Sequence, residues 1–279
     1  MTLYLSFRER DVGGAVAGPR LLAGDGTASP PALRIVGEPE IASLVAGRNL
    51  LFAVHGFNVS GAYGARSLGQ LESRLGLSAA LDHFIGVLWP GDFWLPVVNY
   101  PFEGEVSMDC GRRLADFCRR RFGQAQSFSF VSHSLGARLV LEAVEHLDRR
   151  ARAVCLTAAA INRDALATEY AAATANAAAI SLLASHADLV LRLAFRVGDP
   201  IADLLHDDHE FFERALGYDG PPVPAMPPIS QPWQIPDALD YGHGDYLPPG
   251  DAVANPAAKW AAAADFMARA FRGQNQIWP

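Results

Sequence analysis

From Asn49 onward the chain alternates short, unbroken apolar runs with longer amphipathic stretches, and this alternation limits the fold more than any other feature. The runs Leu50–Val54, Phe84–Leu88, Phe128–Val131, Ala153–Leu156 and Leu189–Phe195 are rich in Val, Leu and Phe and are bounded by Gly, Ser, Pro or Asp. A short run that is apolar at successive positions suits a strand covered on both faces. Between the runs, Ala62–Leu75, Glu105–Phe122, Leu135–Leu147 and Ala165–Ser185 are expected as helices. In the second of these, Cys110, Leu114, Phe117 and Cys118 recur at helical spacing, while Arg112, Arg113, Arg119 and Arg120 mostly face water. A last helix is expected to open on Asn255 as N-cap, with Pro256 at its first position, and to stop at Gly273. Strands alternating with helices predict an α/β protein with a mostly parallel central sheet and helices on both faces.

The first fifty residues read as two peripheral strands, Leu3–Phe7 and Leu33–Val36, around a Gly/Ala/Pro-rich loop from Gly13 to Pro31. Two other stretches break the rhythm. Trp89–Glu103 is dense in aromatic residues and His209–Pro236 in proline. Both are expected as cap-forming loops, 89–103 and 209–236, of a single domain spanning 1–279, with Trp89, Phe93 and Trp94 lining a substrate pocket. A net charge of −7 repels phosphate backbones and argues against nucleic acid as a partner. Arg8, Glu9, Arg10 and Asp11 interrupt any secretory signal, and no stretch of eighteen apolar residues suggests a transmembrane segment, so a soluble cytoplasmic protein is expected. Cys110 and Cys118 fall about 12 Å apart on one helix, too far to bridge. With Cys155 they read as small buried apolar residues, and no metal site or cofactor is expected.

The strongest local signal is Phe128-Ser-Phe-Val-Ser132-His133-Ser134-Leu135-Gly136, which runs straight into a helical pattern. A serine on a sharp turn between a buried strand and a helix is pushed out of the sheet, and the turn needs small residues two before and two after it. Ser132 and Gly136 meet that need, although glycine is the usual residue at the first position. The plainer reading, Ser134 as an ordinary helix cap, accounts for less of the context. A second apolar run ends in Val54-His55-Gly56-Phe57-Asn58. A glycine there lets the main chain approach a reacting atom, so the N–H groups of Phe57 and Leu135 are the candidate oxyanion donors. His55 and His133 read as structural neighbours rather than bases.

A serine needs a histidine to take its proton and an acid to orient that histidine. His243, on the Gly-flanked loop Asp240-Tyr-Gly-His243-Gly, precedes the last helix and is the candidate base. His206 and His209 lie in a charged stretch better explained by solvation than by metal binding. Asp199, which follows the run Leu189–Phe195, is the candidate acid; Asp164, Asp207, Asp208 and Asp245 are its competitors.

Together, His55-Gly-Phe-Asn58, Leu88-Trp-Pro-Gly91, Ser132-His-Ser-Leu-Gly136, Arg214-Ala-Leu-Gly217 with Gly220-Pro221, and Tyr241-Gly-His243 resemble a bacterial esterase/lipase-like family of the α/β-hydrolase superfamily whose function is largely unassigned. The resemblance runs from about Leu50 to Leu247. It implies the α/β-hydrolase fold, with Ser134 as nucleophile, His243 as base and Asp199 as acid. The segment Ala158-Ala-Ala-Ile-Asn162 departs from it, because an acidic residue is usual there. The expected activity is cleavage of a small-molecule carboxylic ester with an apolar acyl or aryl group, through an acyl-enzyme. A thioesterase, amidase or acyltransferase would use the same triad, and a non-catalytic binding module could use the same fold.

Overall fold

A computed structural model describes residues 1–92, 100–197, 214–223, 227–231, 233–251, 255, 258–274 and 278. Its strands are β1 Thr2–Arg8, β2 Val16–Asp25, β3 Ala32–Ile35, β4 Asn49–Val54, β5 Asp82–Leu88, β6 Ser127–His133, β7 Ala153–Thr157, β8 Ile180–Ala184 and β9 Trp233–Gln234. Its helices are α1 Glu38–Val45, α2 Gly61–Arg74, α3 Tyr100–Arg121, α4 Gly136–His146, α5 Ala171–Ala175, α6 Leu189–Val197, α7 Leu216–Asp219 and α8 Lys259–Phe271. Among the described residues the strands form one sheet in the order β3-β2-β1-β5-β4-β6-β7-β8-β9. The β1–β2 and β2–β3 pairs are antiparallel and the others parallel.

The apolar runs work as two-sided strands. In β4, Leu50, Phe52 and Val54 pack into one core, with Cys110, Leu114 and Cys118 of α3 and Leu139, Val140 and Val144 of α4. Leu51 and Ala53 point the other way, into a second core with Leu68 and Leu71 of α2 and Phe266, Met267 and Phe271 of α8. Successive side chains of a strand alternate between faces, so one apolar run serves two layers of helices. All three cysteines are buried thiols. No described helix is long and apolar enough to cross a membrane.

Three expectations are corrected. Leu189–Phe195 is not a strand; it lies in α6, and the strand beside β7 is Ile180–Ala184, which was expected inside a helix. The residues of β8 are buried throughout, whereas Leu189, Val190 and Leu193 of α6 are exposed. The Ala-rich stretch before β8 raises helix propensity across the boundary and hides the strand. The N-terminal loop contains β2, and β1 is not peripheral: it inserts between β2 and β5 and is buried along its whole length. Finally, α8 is capped at Ala258, and Asn255 instead closes a turn by accepting the Ala258 N–H at 3.0 Å. Gly273, at φ +67°, follows the end of α8 in the left-handed conformation that suits glycine.

Parallel register brings the functional loops together. Val54 pairs with Ser132 across β4–β6, and His133 with Thr157 across β6–β7. The chain after each of these strands therefore emerges at the same, carboxyl, edge of the sheet, where open α/β sheets hold their ligands.

Candidate active site

Ser134 sits between β6 and α4 at φ +53°, a left-handed conformation unusual for a non-glycine residue. Its N–H donates to the Thr157 carbonyl at 3.0 Å, and its own carbonyl accepts Ala137 N–H at 3.0 Å and Ala160 N–H at 3.2 Å. The strained turn is thus fixed on both sides, as a left-handed non-glycine residue requires. Gly136 is needed because a Cβ there would lie 2.6 Å from the His55 carbonyl oxygen. At the other small position Ser132 is wholly buried, its carbonyl accepting the Thr157 hydroxyl at 2.8 Å.

The Ser134 hydroxyl lies 2.8 Å from His243 Nε2, and His243 Nδ1 lies 2.8 Å from Oδ2 of Asp188. With Nδ1 protonated against the carboxylate, Nε2 is the nitrogen that can accept the serine proton. The Asp188 side chain is fully buried, while that of His243 is 17% exposed and reachable from solvent. Asp188 Oδ1 accepts Leu191 N–H at 3.0 Å, so the same carboxylate caps α6 and holds the histidine. The carboxylate bonded to His243 is therefore Asp188, and Asp199, the expected acid, lies outside the described residues. Because the sheet strand is β8 and not Leu189–Phe195, the carboxylate beyond the strand comes earlier in the chain. The missed signal is Asp188 itself, an N-cap residue directly before Leu189-Val-Leu-Arg-Leu, where a helix start fits as well as a strand.

Of the competing carboxylates, Asp207 and Asp208 lie outside the described residues, as do His206 and His209. Asp245 accepts Gly242 N–H at 2.8 Å and pairs with Lys259 at 3.1 Å, so it shapes the turn that carries His243. The Asp164 carbonyl accepts Thr168 N–H at 3.2 Å in a turn remote from that loop in sequence.

The rings of His55 and His133 are buried and neutral. His55 Nδ1–H donates to the Gly56 carbonyl at 2.9 Å, and Nε2 accepts Trp89 N–H at 3.3 Å. Burial, helped by the nearby Arg8 charge, lowers its pKa from 6.5 to about 3. His133 Nε2–H donates to the His243 carbonyl at 2.7 Å, which anchors the His243 backbone. Burial, with His243 beside it, lowers its pKa also to about 3.

Gly56 lies against Ser134: a Cβ there would come within 2.8 Å of His133 Nδ1 and 3.0 Å of Ser134 Cβ. Phe57, the next residue, and Leu135, the residue after Ser134, follow directly on these two positions. The Leu135 N–H has no hydrogen-bond partner among the described residues. Trp89, expected in the substrate pocket, is fully buried behind this loop. Its indole N–H donates to the His55 carbonyl at 2.9 Å and its ring stacks on His55 at 5.9 Å. Phe93 and Trp94 lie outside the described residues.

Arg214-Ala-Leu-Gly217 also has a physical task. Gly217 N–H donates to the Ala159 carbonyl at 2.9 Å, and the Gly217 carbonyl accepts Ser185 N–H at 3.1 Å, tying the β7 end to the loop that presents Asp188. A Cβ on Gly217 would lie 2.2 Å from Ala159 N, so the approach requires glycine. Among the described residues no group of three His, Cys, Asp or Glu side chains could hold a metal ion.

A family described as alpha/beta hydrolase of unknown function (DUF900) matches residues 41–205. The chain belongs to this family. The matched α/β-hydrolase segment includes His55–Asn58, Ser134 and Asp188, whereas His243 and the β1–β3 unit lie outside it. Among solved structures, Trichoderma reesei cutinase in complex with a C11Y4 phosphonate inhibitor is similar at 17% identity and a TM-score of 0.33, over 84% of this chain and 83% of that one. No curated protein is similar to the chain at a significant level.

Proposed function

We propose that this α/β hydrolase cleaves carboxylic esters through an acyl-enzyme, with Ser134 as nucleophile, His243 as general base and Asp188 as the orienting acid. The observation that carries the reading is the continuous chain from Ser134 Oγ through His243 to Asp188, with both links at 2.8 Å, on a serine held at φ +53°. As Ser134 Oγ bonds to the ester carbonyl carbon, its proton passes to His243 Nε2. The carbonyl oxygen becomes an oxyanion facing the N–H groups of Phe57 and Leu135. When the tetrahedral intermediate collapses, the bond to the leaving alkoxide breaks and Nε2–H protonates it. Water then repeats the sequence on the acyl-serine, giving the acid and free Ser134. Asp188 stays ionised and stabilises the imidazolium while it exists.

The same side chains act on thioesters and amides, so the leaving group is a matter for assay. The proposed substrate carries an apolar acyl or aryl group, in keeping with the aromatic residues of the 89–103 stretch. The deciding experiment is hydrolysis of a panel of p-nitrophenyl esters, acyl-CoA thioesters and anilides by the wild-type and Ser134→Ala proteins. Ester turnover that disappears with Ser134→Ala supports the reading; turnover unchanged by that substitution overturns it.

A further inference from the structure

A buried arginine bonded to the turn after β4 comes from a strand that the family segment does not include. Arg8 ends β1, is 4% exposed, and lies well upstream of the matched residues 41–205. Its guanidinium donates from Nη1 to the Asp11 carbonyl at 2.8 Å, and from Nη2 to the Val59 carbonyl and to Asp92 Oδ1, both at 2.5 Å. Asp11 extends the attachment, its carbonyl accepting Gly61 N–H at 2.8 Å and its carboxylate accepting Ala62 N–H at 2.6 Å. Asn58 N–H donates to the Gly91 carbonyl at 2.7 Å, one residue before Asp92. The turn between the buried strand β4 and helix α2 is thus held from one side by Gly91 and from the other by Arg8 and Asp11, with Asp92 holding Arg8.

That turn needs holding. Asn58 is at φ +57°, a left-handed conformation that asparagine tolerates but that persists only when its surroundings over-determine it. Phe57 is the residue before it, so relaxation at Asn58 turns the Phe57–Asn58 peptide, and a shift of Phe57 carries with it the Gly56–Phe57 peptide that bears the Phe57 N–H. Arginine suits the task because its planar fork reaches several acceptors in fixed directions, whereas a lysine ammonium acts as a point charge. One more bond fixes the arginine's own backbone: Arg20 of β2 donates to the Arg8 carbonyl at 2.6 Å.

We propose that Arg8 is a positioning residue for the reaction: by bridging Val59, Asp11 and Asp92 it sets the 56–59 turn, and with it the direction of the Phe57 N–H toward the oxyanion. The proposal rests on the serine-hydrolase reading above, but it makes a claim about the loop that is measured without catalysis. Removing the guanidinium alone would strand a buried Asp92, so the variants are Arg8→Lys, which keeps the charge, and the double variant Arg8→Met with Asp92→Asn, which leaves no unpaired charge. Two quantities are read on the full chain: amide hydrogen exchange of a peptide covering 55–62, with 127–133 as internal control, and the rate at which Ser134 is labelled by a fluorophosphonate. Both variants should exchange faster at 55–62 with 127–133 unchanged. They should label on the order of 10- to 100-fold more slowly and lose ester kcat to a similar degree, with KM within about threefold. Unchanged exchange at 55–62 overturns the bracing whatever the activity. Faster exchange with wild-type labelling and kcat overturns the link to chemistry. Failure of the wild-type protein to label or turn over esters removes the serine-hydrolase reading itself, and the role in the reaction goes with it, while the exchange result still decides whether Arg8 holds the turn.

Discussion

Asp188→Asn separates the acid's two jobs. In the native site Oδ2 accepts from His243 Nδ1 at 2.8 Å and Oδ1 accepts Leu191 N–H at 3.0 Å. An asparagine can keep its carbonyl oxygen on Leu191 N–H, and asparagine is as good an N-cap as aspartate, so α6 loses little. Its amide NH₂ then faces Nδ1, which must become an acceptor, and the ring proton moves to Nε2. Nε2–H cannot take the proton of Ser134. The neutral amide also fails to stabilise the imidazolium. In a comparable triad the loss is about 10⁴ in kcat, equivalent to about 5.5 kcal/mol of transition-state stabilisation. The fold, by contrast, should lose no more than about 1 kcal/mol. The assay is steady-state hydrolysis of a p-nitrophenyl ester alongside thermal unfolding, with Asp199→Asn as the matched control. Near-wild-type Tm with kcat down by about four orders of magnitude for Asp188→Asn, and wild-type kcat for Asp199→Asn, is the expected pattern. Full activity in Asp188→Asn together with collapse in Asp199→Asn would refute the assignment.

Gly56→Ala introduces a Cβ that would lie 2.8 Å from His133 Nδ1 and 3.0 Å from Ser134 Cβ, so the oxyanion loop must back away from the nucleophile. Ester kcat should fall on the order of 10²-fold with KM little changed, and wild-type kcat would show that the close approach is not needed. Stability should depend on pH through His55 and His133, whose pKa values fall from 6.5 to about 3 on folding. The unfolded chain then binds more protons between those values, so the contribution is intact above pH 6.5 and is lost as pH falls, at up to about 2.7 kcal/mol per unit for two protons. Urea unfolding at pH 7.5, 6.0 and 5.0 measures it, and a midpoint that does not move between pH 6.0 and 5.0 would contradict the buried neutral state of both rings.

The legibility of the site followed the range of the interactions that make it. Ser134, Leu135 and Gly136 are a strand, a turn and a helix start in immediate succession, so local sequence carries the geometry. His55–Asn58 was readable for the same reason. Asp188 was not, because its position depends on which of two neighbouring apolar segments enters the sheet. Ile180–Ala184 and Leu189–Val197 are both apolar enough for a strand, and only pairing with Thr157 and its neighbours in β7 separates them. The N-terminal strands failed in another way. Gly18 and Pro19 interrupt β2, a strand in which only Leu21 and Ala23 are buried, so it reads as loop. The place of β1 beside β5 is a contact between residues some eighty positions apart, to which no local pattern points.

The central claim is that Ser134 is a nucleophile activated by His243 and Asp188, and covalent trapping tests it most directly. The purified protein is treated with a fluorophosphonate, and intact mass and peptide mapping locate the adduct. The account predicts one phosphonyl group per chain, on Ser134, absent from Ser134→Ala and formed far more slowly in Asp188→Asn. A protein that stays unmodified under conditions that label other serine hydrolases, or that carries the adduct on a different residue, would contradict it.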